Sequence, residues 1–494
     1  MNNKEFLDSV GDIDPDIVLE SRPKNRRRLY LRVASAAAAL LLVVGVLIAL
    51  PRSGMNNDIT AEAPSTERPA GANAGAATES PVYSGGQPLG NEAPTSGETA
   101  GYVLARPTKR TARSLTERYS AAAAEGDISE FTSKLTYELL REKSGENIAF
   151  SPVNLYMALA MLAETTAGET RSEILSVLGK SDIFSIRNEV RTFMDAETAD
   201  GVNSKCLMAD SLWLNRKYSF HTDTLETLAD NYDASSFWGD PKDTGFVEAL
   251  RSWLNENTGG LLKDSADKAE LDVDTVLSIL TTVYFKDQWN TPFIKEATGT
   301  DVFHGADGDT ECEFMYKSAE TETAVYFGNG FIAAGDRLKG GGSVWYLLPD
   351  RGVSIEDMLT GGGMDFIFGS DIKRTASWGL INWTVPKYDV SADLDLIEAC
   401  KSLGMTSCFD FRLSDFTPLT SDSDTLYVSK INHSARVKVD EDGIEAAAFT
   451  QIDAVDDAAP AHVVDVTLDR PFVFVVTGLS GQPLFIGIVN SMEQ

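Results

Sequence analysis

The chain has 494 residues, and 43% of them are hydrophobic, so it can hold two to four average domains or one large domain with appended segments. It carries 43 Lys and Arg against 74 Asp and Glu, which gives a net charge of −31. This balance argues against nucleic-acid binding as the main task, because contacts to phosphates need a basic face. It fits a secreted protein that attracts cationic partners.

The N-terminal residues have the charge pattern of a membrane anchor. Six basic residues lie between Arg22 and Arg32, and the run Val33–Leu50 that follows has no charged residue. Such a run is long enough to cross a bilayer at ~1.5 Å per residue, and basic residues ahead of an apolar span favour the cytoplasmic side. We therefore expect a cytoplasmic basic tail at 1–32, a transmembrane helix at 33–50, and an extracellular remainder at a cell membrane.

Two other interpretations of this apolar run stay open. A signal peptide would give a secreted protein, but the charged segment and the apolar run are both long, and no clear Ala-x-Ala cleavage site follows Leu50. A buried core helix would have poorly suited flanks.

Residues 51–112 are predicted to be a disordered linker. They are rich in Ala, Gly, Pro, Ser, Thr and Glu and contain few large apolar side chains. Such a stretch cannot bury enough surface to fold. About 60 flexible residues have a root-mean-square reach of roughly 40 Å, enough to hold a domain clear of a cell surface.

Residues 113–494 have the patterns of one large α+β domain. Phe131, Leu135 and Leu139 recur at helical spacing, and Ser151-Pro152 begins an almost wholly apolar helix. The stretch TVLSILTTVYFKDQW is typical of a central strand, and RPFVFVVTGLSGQPLFIGIVN predicts two strands around a turn.

Motifs of catalysis are missing from the sequence. It has no G-x-S-x-G elbow, no Walker A motif and no H-E-x-x-H, and its four histidines lack ligand-like spacing. Cys206, Cys312, Cys400 and Cys408 are too few and too scattered for a disulfide framework or a C-x-x-C metal site, so we expect free thiols. We therefore expect a protein that is not an enzyme, with no catalytic residue, no metal and no cofactor.

Several motifs in order resemble those of the serpin family. They are NIAFSPVNLYMALAMLAETTAGETRSEIL at 147–175, TTVYFKDQWNTPF at 281–293, then VPKYDV, LGMTSCFD, DFTPL, VSKINHSARVKVDEDGIEAAA and DRPFVFVVTGLSGQPLFIGIVN. The resemblance covers Arg113–Gln494. It implies an α+β serpin fold with a large central β-sheet, two smaller sheets, about eight or nine helices and an exposed reactive loop. We expect a membrane-anchored or secreted protein of bacterial origin.

The segment after Gly443 has the pattern of a strand stored in a loop. Small or apolar residues alternate with mainly polar ones over twelve positions. The first face consists of Ile444, Ala446, Ala448, Thr450, Ile452 and Ala454. The resemblance implies that a target serine protease cuts this loop, which then enters the central sheet as a new strand. The protein would be a monomeric, single-use inhibitor that forms a covalent 1:1 complex with the protease.

The resemblance also implies the residues that control insertion. The predicted hinge consists of Glu441, Gly443, Ile444, Glu445, Ala446, Ala447 and Ala448. The predicted residues beneath and at the top of the sheet, the family's shutter and breach, are Ser151, Asn154, Thr281, Trp289 and His433.

Three departures from the family pattern involve four positions. Ile444 stands where the family usually has Thr or Ser, and Phe449 interrupts the alanine run. Asn154 and Thr281 exchange the polar residue types usual at the two shutter positions, and such a swapped pair could still close a hydrogen-bond network.

The reactive bond is predicted by counting along the loop. Fourteen residues after Gly443 comes Asp457, which gives Asp457–Ala458 as the cut bond. Ala458–Ala459 is the close rival, because small residues suit an elastase-type pocket, and counting back from Pro471 points near Pro460. A cationic, elastase-type protease is the expected partner, whereas an Asp-specific protease would prefer Asp457.

Two other functions remain to be weighed. A non-inhibitory relative acting as a chaperone, carrier or adhesion module would keep the fold with an inactive hinge. A surface hydrolase would need a nucleophile motif that the sequence lacks. The Ala446–Ala448 run favours inhibition.

Overall fold

A nine-stranded sheet is the centre of the structure. The computed structural model describes residues 40–49, 82–83, 102–107, 113–123, 128–258, 266–319, 323–369, 377–378, 380–423, 425–444 and 463–492. From one edge the sheet contains β17 (Tyr388–Asp395), β18 (Tyr427–Val439), then β1 (Leu40–Ala49) and β19 (Gly443–Ile444) end to end, β9 (Thr275–Gln288), β6 (Ser204–Asn215), β8 (Ala234–Gly239) and β3 (Val103–Ala105), with β5 (Ala199–Asp200) beside β6.

Two smaller sheets accompany the central one, as expected. The four-stranded sheet contains β10 (Gly299–Gly305), β11 (Gly308–Ala319), β16 (Leu380–Pro386) and β20 (Val463–Thr467). The seven-stranded sheet contains β15 (Ser377–Trp378), β12 (Thr323–Phe327), β13 (Phe331–Arg337), β14 (Ser343–Pro349), β21 (Phe472–Thr477), β22 (Pro483–Val489) and β4 (Ile148–Phe150). A separate pair joins β2 (Val82–Tyr83) to β7 (Phe220–His221).

The helices lie mostly in the first half of the domain. They are α1 (Leu115–Ala122), α2 (Ser129–Glu142), α3 (Pro152–Glu164), α4 (Gly168–Val177), α5 (Ile183–Glu197), α6 (Thr222–Tyr232), α7 (Thr244–Asn257), α8 (Ile355–Met358), α9 (Met364–Phe368) and α10 (Ile397–Ser402). A π-helical turn at Leu359–Gly363 joins α8 to α9. If α8 and α9 are counted as one interrupted helix, the described part has nine helices, which confirms the predicted number of about eight or nine.

Helix α3 packs against the central sheet from below. The Ser151 side chain accepts a hydrogen bond from the backbone of Asn154, and Pro152 takes the first helical position, so the start of the helix is fixed by sequence. All of its residues are buried, because the helix also contacts β22 of the seven-stranded sheet. An apolar helix of this kind has no solvent-facing side.

The predicted transmembrane helix at 33–50 is wrong over the residues that the structure describes. Leu40–Ala49 is a strand that pairs antiparallel with β18 on one side and β9 on the other. A continuous apolar run occurs both in strands that are covered on both faces and in membrane spans. Hydropathy alone therefore does not separate the two. Residues 33–39 and 50 lie outside the described residues. Among the described residues, no helix is long and apolar enough to cross a membrane.

The folded part of the chain begins before the predicted boundary at residue 113. Val103 and Ala105 pair with Phe237 and Ser236, which makes β3 the edge strand of the central sheet. The Tyr102 hydroxyl donates a hydrogen bond of 2.9 Å to Asp243. An edge strand needs only a few apolar residues. The three residues of β3 lie within the stretch predicted as linker, and they are too few to indicate a strand from sequence.

All four cysteines are free thiols, as the sequence predicts. Cys206, Cys400 and Cys408 are buried and Cys312 is half-buried. Burial raises the pKa of each thiol, so at neutral pH these side chains are neutral and weakly reactive.

Asp287 is a buried carboxylate that holds the end of β9 in place. Its oxygens accept hydrogen bonds from the backbone N–H of Gly340 at 3.0 Å and of Gln288 at 2.9 Å. Burial raises its pKa from 3.8 to about 7, against the opposing effect of the hydrogen bonds from Gly340, Gln288 and Ser204.

We predict that Asp287→Asn alters the pH dependence of stability. Between about pH 4 and 7 the folded protein keeps a proton on Asp287 that the unfolded chain has lost. The stability that this group contributes is therefore present below pH 4 and is lost as the pH rises to about 7. The free energy of unfolding of Asp287→Asn relative to wild type should rise between pH 5 and pH 7, by up to about 1.4 kcal/mol per pH unit, in urea unfolding at both values.

The matched control is Asp307→Asn, which removes an exposed carboxylate. Its difference from wild type should be nearly the same at pH 5 and pH 7. Parallel curves for Asp287→Asn and wild type would show that Asp287 is ionised throughout this range.

Candidate functional site

The predicted hinge begins inside the central sheet. Ile444 pairs with Val439 of β18 and with Asp287 of β9, and Gly443 pairs with Gln288. The Ile444 side chain is 0% exposed and belongs to the main hydrophobic core. The two flanking strands therefore already hold the start of the loop between them.

Gly443 is required by the geometry of this entry point. Its φ is 154°, and a Cβ atom would lie 2.2 Å from the carbonyl oxygen of Asp287. Real Cβ contacts are not this short, and L side chains rarely adopt this φ. No other residue fits without moving β9 away from the hinge.

Glu441 fixes the base of the hinge from outside the sheet. Its carboxylate lies 3.3 Å from the Lys387 ammonium and accepts a hydrogen bond of 2.9 Å from the Thr298 hydroxyl. Its carbonyl accepts the backbone N–H of Phe293 at 2.9 Å. Burial would raise the pKa of Glu441, but the hydrogen bonds and Lys387 lower it below its ordinary value.

Trp289 packs beneath the turn that leads into the hinge. Its indole N–H donates to the carbonyl of Asp440 at 2.9 Å, and its backbone N–H donates to the carbonyl of Asp442 at 3.2 Å. The side chain is fully buried. The sequence singled out Trp289 for this region, and the contacts tie it directly to the residues before Gly443.

A buried ion pair supports Trp289. The Lys317 ammonium lies 4.8 Å from the centre of the Trp289 ring and 4.4 Å from that of Phe293. It pairs with Asp336, and both side chains are 1% exposed. Burial lowers the pKa of Lys317, while Asp336 opposes that shift. Sequence reasoning missed this pair, because residues so far apart give no local signal.

Four predicted residues meet beneath the middle of the sheet. The backbone N–H of Ser151 donates to Nε2 of His433 at 3.0 Å. The Asn154 amide donates to the Thr281 carbonyl at 3.2 Å, and the Thr281 hydroxyl donates to the Asn154 carbonyl at 3.3 Å. The swapped Asn154 and Thr281 therefore close a reciprocal hydrogen-bond pair between α3 and β9.

His433 is neutral in this cluster. Burial lowers its pKa to about 3. Because Nε2 accepts a hydrogen bond, the neutral ring carries its proton on Nδ1, and this buried N–H has no hydrogen-bond partner among the described residues. An unsatisfied buried donor costs roughly 1–3 kcal/mol.

The rest of the predicted site lies outside the described residues. This holds for the hinge residues Glu445, Ala446, Ala447 and Ala448 and for the reactive-bond candidates Asp457, Ala458, Ala459 and Pro460. The described chain resumes in β20, which pairs parallel with β16 through Val463 and Leu380. Within the described residues, no group of three or more His, Cys, Asp or Glu side chains could hold a metal ion.

Comparisons with known proteins match most of the chain. Residues 127–492 match the family model Serpin (serine protease inhibitor). Serpin-ZX of Arabidopsis thaliana is 29% identical over 364 residues, 69% of this chain and 91% of that protein. Plasminogen activator inhibitor 1 of Neovison vison is 27% identical over 382 residues, 73% of this chain and 91% of that protein.

A solved structure of Tengpin, a thermophilic serpin in its native state, has a TM-score of 0.65 and 27% identity to this chain. The match covers 78% of this chain and 97% of Tengpin. The plant and animal relatives give no support to the expected bacterial origin. With a family model over most of its length and the expected three sheets, the chain belongs to the serpin family, whose members are generally inhibitors of serine proteases.

Proposed function

We propose that this chain is a single-use inhibitor of serine endopeptidases and not an enzyme. The observation that supports this most directly is the seating of Gly443 and Ile444 between β9 and β18. From this point a cut loop would extend between the same two strands, along the line that β1 holds in this structure. The strand stored in residues 444–455 would then become part of the central sheet.

The observed register supports the predicted orientation of the loop. If the ladder continues beyond Ile444, Ala448 would pair with Val283 and with Ala435. Both of these residues are 1% exposed and belong to the main core. Alternate residues share a face, so Ala446 and Ala448 would face the core, as Ile444 does.

Loop insertion would stop the protease after its first chemical step. The protease serine attacks the carbonyl of the cut bond, the amine side leaves, and an ester joins the loop to the serine. Water must then hydrolyse this ester. Insertion of about twelve residues moves the ester by roughly 40 Å, and a misplacement near 1 Å already costs about 10²-fold in rate. The ester therefore persists as a covalent 1:1 complex.

An elastase-type protease is the proposed target. Small residues surround the candidate bonds Asp457–Ala458 and Ala458–Ala459, and small side chains suit a small specificity pocket. The net charge of −31 would attract a cationic protease over long range.

The first test is a denaturing gel of the full chain mixed with elastase. We expect a band at the summed mass of protease and inhibitor that survives denaturation, because the ester is covalent. Sequencing of the released C-terminal fragment would identify the cut bond. A clean cut without such a band, at every protein-to-protease ratio, would instead favour a non-inhibitory member of the family.

A second prediction concerns Ala448. In the intact loop a glutamate at this position stays in water, but on insertion it must enter the core without a partner, at a cost of several kcal/mol. Each ~1.4 kcal/mol on the insertion barrier slows insertion about tenfold. Ala448→Glu should be cut at the same bond but release active protease. The measurement is the number of moles of inhibitor consumed for each mole of protease blocked.

The matched control is Ala447→Glu, which adds the same charge on the opposite face and should be milder. Equal damage by the two substitutions would show that the face assignment is wrong. No change in the ratio for either variant would show that blocking does not depend on insertion of this loop.

We further propose that the domain lies outside the cytoplasm. The acidic balance, 43 basic against 74 acidic residues, would attract a cationic extracellular protease and supports this. The folded domain should then be found in the culture medium, or be cut by protease added to intact cells. Full protection of the chain in intact cells, with cutting only after lysis, would contradict an extracellular location.

A further inference from the structure

The slot between β9 and β18 has room for one strand. A strand has two edges for hydrogen bonding. In β9 one edge is taken by β6, and in β18 one edge is taken by β17. The remaining two edges face each other and form the slot. A cut reactive loop can therefore insert only if nothing else pairs with these edges.

The N-terminal strand β1 pairs with both of these edges. Along β9 it runs from Leu40 opposite Phe285 to Ala49 opposite Thr275. The hinge strand β19 stops at Asp287, so only the position of Lys286 separates the two segments. The slot is thus filled from one end of β9 to the other.

The segment and the loop compete for the same register positions. Continuing the ladder from Gly443–Gln288 and Ile444–Asp287 would put Ala446 opposite Phe285, which pairs with Leu40. On the β18 side, the ladder from Ile444–Val439 would put Ala448 opposite Ala435, which pairs with Leu42. The ladders along β9 and along β18 give the same alignment of β1 with the loop, and the two segments run in the same direction. Leu40–Leu47 therefore stands where residues 446–453 of the loop would stand.

We propose that Leu40–Ala49 is an internal plug, a segment of the chain that occupies the insertion slot and blocks the reactive loop until it is displaced. The proposal rests on the proposed inhibitory function for its consequence, but the occupancy itself does not depend on it. With the plug in place, a protease cuts the loop, insertion is slowed, and water hydrolyses the ester in a larger share of encounters, so more inhibitor is consumed for each protease molecule that is trapped.

The composition of the segment suits this position. It has ten uncharged residues, LLLVVGVLIA. The register aligns Leu42 and Val46 with the core residues Val283 and Ile279 of β9, and Val44 with the buried Thr281. At the equivalent loop positions the sequence has Ala448, Thr450 and Ile452. Burial stabilises by about 0.8 kcal/mol per CH₂, and at these three positions the segment has more apolar side-chain atoms than the loop.

The occupancy is tested by a disulfide between paired positions. Val43 is opposite Ser434 in the ladder, and directly opposed Cβ atoms lie near the separation that a disulfide needs. In the full chain, Val43→Cys with Ser434→Cys should form an intramolecular cross-link under mild oxidation, detected by peptide mapping. The control, Val43→Cys with Lys438→Cys, puts the second cysteine four residues farther along β18 and should not cross-link. Equal cross-linking in both, or none in the first, would overturn the proposal.

The block is tested with the same protein. Oxidised Val43→Cys/Ser434→Cys should consume at least tenfold more inhibitor per elastase molecule than its reduced form. An oxidised form that traps elastase as efficiently as the reduced form would overturn the block. If the cross-link forms but neither form ever yields a covalent complex, the occupancy is supported and the proposed inhibition is overturned.

A second variant removes the plug without any cross-link. Leu42→Asp puts a charge opposite Val283 and Ala435, which are both 1% exposed, and should expel the segment, lowering the amount of inhibitor consumed per elastase molecule several-fold. Val202→Asp puts the same charge on a side chain that is 91% exposed, so it should behave as wild type. Identical stoichiometry for Leu42→Asp and wild type would contradict a blocking role.

Discussion

The rest of the structure depends on one constraint, which is that a strand can hydrogen-bond along two edges and no more. β9 and β18 each have one edge covered by a neighbouring strand, so a single slot lies between their other edges, and β1 and β19 fill it. The hinge enters this slot at one end, the reciprocal pair of Asn154 and Thr281 joins α3 to β9 beside it, and Trp289 packs under the turn that leads into it.

The two candidate occupants match the slot in different ways. The plug has the more apolar sequence, but it aligns Val44 with His433, whose Nδ1–H has no partner among the described residues. Continued from Ile444, the ladder would align Thr450 of the loop with His433, and a threonine hydroxyl can accept that hydrogen bond. Satisfying a buried donor is worth roughly 1–3 kcal/mol, comparable to burying two or three extra CH₂ groups. The hydrogen bond to His433 therefore favours the loop, and the more apolar sequence favours the plug.

Residues with a local signature were predictable from sequence, and residues with only long-range partners were not. Gly443, Trp289 and the Ser151–His433 contact follow from motifs, and the swapped Asn154 and Thr281 close the expected network. The apolar run at 40–49 predicts a membrane helix, but a strand covered on both faces has the same kind of run. Lys317–Asp336 and the raised pKa of Asp287 depend on burial, which the sequence around them does not encode.

In the proposed exchange of plug for loop the backbone hydrogen bonds balance, and cleavage sets the point at which exchange can begin. If the ladder of β19 continues through the loop, both segments run in the same direction with the same register, so each backbone hydrogen bond that the plug loses is replaced by one that the loop makes. Only the position opposite Lys286 separates Ile444 from Leu40, so exchange can proceed one position at a time from the hinge. Before cleavage the far end of the loop is held at Val463, which pairs with β16. A cut removes that restraint, and the small difference in side-chain burial and hydrogen bonding then determines whether the loop enters the sheet before the ester is hydrolysed.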